Sequence, residues 1–533
     1  MREPATASST SKPRGALMLA VLLCAVAVSR LVALQWDPPA GILSHSGDLM
    51  TDEGFYLKAA VLWQRWGSWR NAHDLNWYPV SPLYAALSSV LVPRFETPLL
   101  AMRAVVALVS VAGLAMWAWA VRKSLGNGAA LVVVALVALA FDQWAFARLA
   151  FMEPLAVATS LGALAFWVRA PQKAWHALAS CLLAVATTGW KPSFLFTLVT
   201  CSALWLWSAH QAWREGSRTR SQTLVAVVVL AWLTTAAAWL AMARLSHGDL
   251  QAMQRVLGQI VYGDVTWRDV GRKLVQAAQR NLFCPERIVL TLAAALLAAV
   301  ALLRARALHP QLWPERFPAL FAVGLWSLLG LGVLGSGAYQ PERWFVFLSV
   351  PLATAVATFL THAVPSRQAR VSFAGVLALH VAAQVPDVHA YLARPDHDSL
   401  LRMAQDAARH MDVDNGAEVR VLGNQAALIA VWNRRVRPIA DGFPAADPEG
   451  VCGRVRFWRP AYYVGTAQDA AALRANCGAL FVQVVPVASF AVLGDYMLRG
   501  PVVLLRLQYA ADAPGPVGSG RAASTGAVRM VKL

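Results

Sequence analysis

The chain has 533 residues, of which 58% are hydrophobic and only 14% charged, with a mean hydropathy of +0.48 and a formal net charge of +18. Soluble chains carry roughly 25% charged residues, so the composition excludes a soluble protein and indicates an integral membrane one. The positive charge does not imply nucleic acid. Lys and Arg of membrane proteins collect in cytoplasmic loops, and no RNA- or DNA-binding motif stands in the context it needs.

A bilayer-crossing helix takes about 20 mostly apolar residues. In chain order, such segments lie at 16–35, 98–121, 128–146, 150–169, 174–189, 192–210, 222–244, 287–304, 317–336, 341–361 and 368–386. The first reads as a span rather than a cleaved signal peptide, because no small-x-small site precedes Asp37. Basic residues mark alternate connections: Lys12 and Arg14, Arg122 and Lys123, Arg169 and Lys173, Arg214 to Arg220, Arg304 to Arg316, and Arg367 and Arg370. The positive-inside rule then puts the N-terminus in the cytoplasm and, after about eleven spans, the C-terminal region outside. The 22 tryptophans read mostly as interface belts.

The apolar stretch "YPVSPLYAALSSVLVP" (78–93) is short and bounded by prolines. Counting it as a span would reverse every later basic loop, so it reads as a helix in the outer leaflet. Residues 36–97 then form one long outer segment and 245–286 a second, whose "WRDVGRKLVQAAQRNLF" has the pattern of an amphipathic interfacial helix. Beyond the span-bearing residues 1–391, strands such as "AEVRVLG", "PAYYVG", "ALFVQVV" and "VVLLRLQ" alternate with helical stretches over 392–512. That alternation predicts a small extracytoplasmic α/β domain, followed by a disordered Gly/Ala/Pro/Ser-rich tail at 513–533. Cys24, Cys181 and Cys201 lie in apolar runs and read as small hydrophobes. Cys452 and Cys477 either form a disulfide outside the cytoplasm or remain free.

Ionisable groups at membrane depth are functional candidates by default. Four places at outer turns carry them: Asp52-Glu53 in "TDEGFY", Arg148 and Glu153 in "RLAFMEP", Lys191 in "TGWKP", and Glu342-Arg343 in "YQPERWF". The topology sends all four to the same side. Each also has a plainer reading. Asp52 can cap a helix, Glu153-Pro154 can start one, Lys191 can snorkel to the interface, and Arg343 can pair with Glu342. Arg268, Arg272 and Lys273 lie on the interfacial helix and face solvent, lipid headgroups or substrate. HExxH and paired CxxC motifs are absent.

"TDEGFY", "SPLYAAL", "RLAFMEP" and "YQPERWFVFLSVPLA" together resemble the integral-membrane GT-C glycosyltransferases. Within them the chain is most similar to the protein O-mannosyltransferase and aminoarabinose lipid A transferase group. The resemblance covers roughly residues 16–390. It implies a polytopic α-helical fold and transfer of a sugar from a polyprenyl-phosphate carrier at the outer face. The acceptor would be a lipid, glycan or protein, and the location a bacterial inner membrane. Asp52 then falls on the family's catalytic acid, with Glu53 as its acidic neighbour. Glu153 falls on an acidic position before Pro, and Arg343 on a position that meets the lipid phosphate. Lys191, Arg148, Tyr56, Arg268, Arg272 and Lys273 are the remaining substrate-binding candidates. A Lys-Pro pair that opens the outer-leaflet helix in aminoarabinose transferases is Ser81-Pro82 here, and Gly54-Phe55 replaces their Pro-Arg.

The implied reaction displaces phosphate from an anomeric carbon in one inverting step. It needs a base within hydrogen-bond reach of the acceptor, for which Asp52 is the candidate, and cations for the developing phosphate charge. A divalent metal on Asp52, Glu53 and Glu153 is an option, since carboxylates suit hard cations. The rival class is a transporter or flippase of a lipid-linked or anionic substrate. Transporters place charges near the midplane of repeated folds, whereas here they lie at outer turns and no repeat is visible.

Overall fold

The computed structural model describes residues 12–37, 52–257, 267–304, 317–337, 340–411, 417–440, 448–492 and 501–510. Much of the first outer segment before Asp52, and the tail expected to be disordered, lie outside the described residues.

The helical part runs α1 (Lys12–Leu31), α2 (Asp52–Trp66), α3 (Pro82–Leu91), α4 (Pro98–Leu125), α5 (Asn127–Ala138), α6 (Phe141–Phe146), α7 (Met152–Arg169) and α8 (Ala174–Trp190). It continues with α9 (Leu195–Arg214), α10 (Arg218–Leu245), α11 (His247–Leu257), α12 (Trp267–Leu282), α13 (Ile288–Arg304), α14 (Pro318–Gly335), α15 (Ser349–Ala363) and α16 (Ser366–Leu392). Local sequence sets these limits. The helix α4 opens on Pro98, whose missing N–H costs nothing in a first turn. It closes with Arg122 and Lys123 against the dipole and with Gly126 at φ +90°.

Among the described residues six helices are long and apolar enough to cross a membrane: Arg14–Leu31, Pro98–Leu125, Pro192–Arg214, Arg218–Leu245, Pro318–Gly335 and Arg367–Leu392. The chain is thus a multi-pass membrane protein, but the count of about eleven spans is not reached by length and apolarity. The other five expected segments are helical but shorter, interrupted or, at α7, less apolar. Residues 128–146 divide into α5 and α6, and α7, α8, α13 and α15 have 18, 17, 17 and 15 residues. The reason is visible at α7, which is buried along nearly its whole length. Neighbouring helices rather than lipid cover it, so its length is not tied to bilayer thickness. Its contact with α4 is close: a Cβ on Gly113 would stand 2.5 Å from the Ala158 Cα. Small residues allow such backbone approach where no hydrophobic effect drives helices together. Trp117, Trp167, Trp205 and Trp326 are buried rather than in a belt, and the Trp117 and Trp326 indoles donate to Thr354 and Thr197 at 3.0 and 2.9 Å.

Helix α3 has ten residues, roughly 15 Å of helix against the ~30 Å of a bilayer core. It cannot cross, as its prolines suggest. It packs with α2 beside α8 and carries the first outer segment back to α4.

The C-terminal part runs α17 (Ser399–His410), β1 (Val419–Leu422), α18 (Ala426–Trp432), β2 (Val436–Ile439), α19 (Pro448–Trp458), β3 (Tyr462–Thr466), α20 (Ala467–Cys477), β4 (Phe481–Phe490) and β5 (Val502–Tyr509). The sheet order is β2-β1-β3-β5-β4, with parallel β2-β1-β3 pairing and an antiparallel β4-β5 hairpin beside β3. Strand β2 was not foreseen: it has four residues and contains Pro438, which is tolerated because β2 is an edge. Cys452 of α19 and Cys477 of α20 form a disulfide.

This domain holds the outer helices. Arg65 of α2 donates to the carbonyls of Asn433 and Val436 at 3.0 and 3.1 Å, and to that of Ala430. Gly54 lets α2 approach α18, since a Cβ there would meet the Leu428 nitrogen at 3.2 Å. Lys58 pairs with Asp74, which also accepts from the Ala440 amide at 3.0 Å. Burial pulls the Lys58 ammonium below its usual range, and the Asp74 charge opposes this. Asn76 links the same turn to Asp249 of α11 at 2.9 Å. The two outer segments and the sheet edge thereby share one buried polar network.

Candidate active site

Asp52 is the first residue of α2. Its side chain lies outside the described residues, as does that of Glu342. What holds the start of α2 is Glu53. Its carboxylate is buried and meets Arg103 of α4 at two points, Nε to Oε1 at 2.8 Å and Nη2 to Oε2 at 2.5 Å. Oε1 also accepts from the Ala150 amide at 2.6 Å. Tyr84 of α3 donates to the carbonyl of Ala150 at 2.6 Å, so that residue is gripped on both sides. Arg103 then reaches the carbonyls of Leu34 and Trp36 at 2.5 and 3.0 Å. One ion pair thus ties the ends of α1, α2 and α4 to the turn that leads into α7.

Glu153 follows that turn. Its Oε1 accepts from Lys191, at the end of α8, and from the Arg343 Nε at 3.1 Å, while its Oε2 has no hydrogen-bond partner among the described residues. All three residues are buried. The Lys191 ammonium stands 4.8 Å over the Trp344 ring and the Arg343 guanidinium 5.2 Å over Phe151, contacts that stabilise a cation where water is scarce. Three turns separated by up to 190 residues therefore meet as one carboxylate between two cations.

Trp344 also closes an apolar groove of about 420 Å³, lined by Pro192, Phe196 and Val199 on one side and Leu329 and Val333 on the other. Its mouth is open, with Val199 and Val333 exposed. A charged cluster joined through Trp344 to an open apolar groove suits an amphiphile with an anionic head.

Arg148 lies apart from this cluster. It donates to the Ala33 carbonyl and stacks 4.3 Å over Trp144, and its Nε and Nη1 have no partner among the described residues. Tyr56 sits in an edge-on aromatic set, 5.7 Å from Tyr84 and 6.2 Å from Trp77 and Phe151, behind the Glu53 grip. Arg268 and Arg272 are exposed on α12, with Arg272 bonded to Asp269 at 2.7 Å, and Lys273 is half-buried. None of these three is joined to Glu153 by a described contact.

A metal fits the acidic residues poorly. Glu53 and Glu153 are each committed to cations, which a hard metal ion would have to displace. Among the described residues no three His, Cys, Asp or Glu side chains converge on one point.

Two arginines escaped the sequence reading. Arg103 is buried in α4, and its signal was a lone charge within an apolar span. Arg30, near the end of α1, is 2% exposed.

No protein-family model and no curated protein sequence matches the chain. Solved structures do. The crystal structure of ArnT from Cupriavidus metallidurans bound to undecaprenyl phosphate is similar at TM-score 0.57 and 15% identity, covering 94% of this chain and 100% of that one. Its apo form is similar at TM-score 0.54 and 14% identity, covering 92% and 98%. Identity this low speaks for the fold alone. The chain has the fold of ArnT, that of the GT-C glycosyltransferases its short motifs resemble.

Proposed function

We propose that the protein transfers a sugar from a polyprenyl-phosphate carrier to an acceptor at the outer face of the membrane. The observation that carries this reading is the buried Glu153–Lys191–Arg343 cluster, joined through Trp344 to the open apolar groove. The groove takes the polyprenyl chain, and Lys191 and Arg343 take the phosphate. A guanidinium matches phosphate oxygens in pairs. The ArnT structure bound to undecaprenyl phosphate supports a ligand of this chemistry.

In the reaction, the acceptor oxygen or nitrogen attacks the anomeric carbon opposite the phosphate. Asp52 removes the acceptor's proton. The bond from carbon to phosphate oxygen breaks with its electron pair going to the phosphate, where Lys191 and Arg343 stabilise the added charge. A single in-line displacement inverts the centre. Glu53 acts as a positioning residue: its grip by Arg103 and the Ala150 amide fixes the start of α2, where Asp52 stands. The disulfide suits an oxidising compartment and supports an extracytoplasmic C-terminal domain, as expected for a bacterial inner-membrane enzyme. The test is to incubate membranes bearing the protein with labelled polyprenyl-phosphate sugars. A labelled product absent from membranes lacking the protein is expected. Movement of intact donor across the membrane without a product would assign the chain to the flippase class instead.

A further inference from the structure

Arg30 is a cation buried against the helical bundle on the one face of α1 that does not meet lipid. Among the described residues it has no hydrogen-bond or ion-pair partner. An ionised guanidinium left so is costly unless water or an anion satisfies it. It lines a cavity of about 30 Å³ whose wall also holds Glu153, Arg343, Gln143 and Ser110. The other Glu153 oxygen, Oε2, is likewise buried and has no hydrogen-bond partner among the described residues. One water needs about 10–15 Å³ measured this way, so the cavity has room for roughly two.

An unpartnered cation and an unpartnered carboxylate oxygen thus line one small cavity whose wall is otherwise mostly apolar. We propose that Arg30 is an alternative counter-ion to Glu153, reached across this cavity, and that it takes over the carboxylate when an anionic phosphate arrives on Lys191 and Arg343. The inference rests on the donor-phosphate reading of those two cations. Its physical basis is competition. Glu153 occupies the same donors that a phosphate needs, and a buried carboxylate cannot give them up without another cation. Arg30, on the wall of the same cavity, supplies one. It is a positioning residue that acts through Glu153 and makes no contact with substrate.

The experiment is undecaprenyl phosphate binding to the full-length protein in phosphatidylcholine nanodiscs, as a double-mutant cycle. In the wild-type background Arg30→Gln weakens binding by about tenfold, a coupling typical of residues in one network, and Arg30→Lys restores most of it. In the Glu153→Gln background, where no carboxylate has to move, Arg30→Gln changes nothing. Equal loss in both backgrounds, or no loss in either, overturns the proposal while leaving the donor reading intact. Wild-type protein that does not bind undecaprenyl phosphate overturns the donor reading and this inference with it. Should Arg30→Gln not fold, infrared difference spectra of the wild type answer instead. Adding undecaprenyl phosphate shifts a carboxylate band that is missing in Glu153→Gln, and an unmoved band contradicts the handover.

Discussion

Glu53 and Arg103 form a two-point ion pair, 2.8 and 2.5 Å, with both side chains almost fully buried. The pair joins α2 to α4 and, through the Ala150 amide, to the entrance of α7. The acid next to the proposed base is thereby the anchor of that base.

Breaking the anchor has a definite consequence. Removing one partner of a buried pair leaves the other uncompensated, at a cost of about 3–5 kcal/mol. Arg103→Met is expected to lower the melting temperature sharply in detergent, and Glu53→Leu/Arg103→Met to recover part of the loss. Equal melting of Arg103→Met and wild type would remove the anchor from the account.

The cations of the cluster are expected to separate binding from stability. Arg343→Gln should weaken undecaprenyl phosphate binding by about tenfold or more, since a hydrogen bond to a charged group contributes about 1.5–3 kcal/mol. Lys191→Met should act similarly. Titration of the purified protein with the lipid measures both.

Asp37 gives a pH signature. Burial raises its carboxyl from 3.8 to about 6, against the opposing hydrogen bonds from Ser399 and the Leu400 amide. The folded state thus holds this proton more tightly than the unfolded state. Its contribution is full below about pH 4 and is lost as pH rises through 6, a change of about 3 kcal/mol. Melting temperatures measured from pH 4 to 7 should fall more steeply for wild type than for Asp37→Asn. Parallel curves would show that this carboxyl does not titrate in that window.

The disulfide closes a separation of 25 residues between α19 and α20. Loss of a loop of that size costs about 3 kcal/mol in the chain-entropy description. Cys477→Ser should therefore lower the stability of the C-terminal domain. In intact spheroplasts, a membrane-impermeant maleimide should label Cys452 and Cys477 only after reduction. Labelling that requires permeabilised cells would place the domain in the cytoplasm.

Much of the helical plan was legible because apolar length and the distribution of Lys and Arg are one-dimensional signals. The short helix α3 could be read from its bounding prolines, and β1, β3, β4 and β5 from the strand-like stretches beyond residue 391. The convergence of Glu153, Lys191 and Arg343 was legible only as a shared side of the membrane, because contact between turns is decided by helix packing. The break of residues 128–146 into α5 and α6 was not read, because composition does not reveal where neighbouring helices shelter a segment from lipid. Arg30 and Arg103 were missed for a related reason. A single Arg in an apolar run looks the same whether it snorkels or turns inward, and the burial of both residues settles which.

The central claim is that Asp52 is the base of a sugar transfer from a polyprenyl-phosphate donor. The direct measurement is transfer of labelled sugar from that donor in membranes carrying wild type or Asp52→Asn at matched expression and insertion. The account predicts product formation by wild type and near-complete loss in Asp52→Asn, with undecaprenyl phosphate binding retained. Wild-type rates of transfer in Asp52→Asn would contradict it.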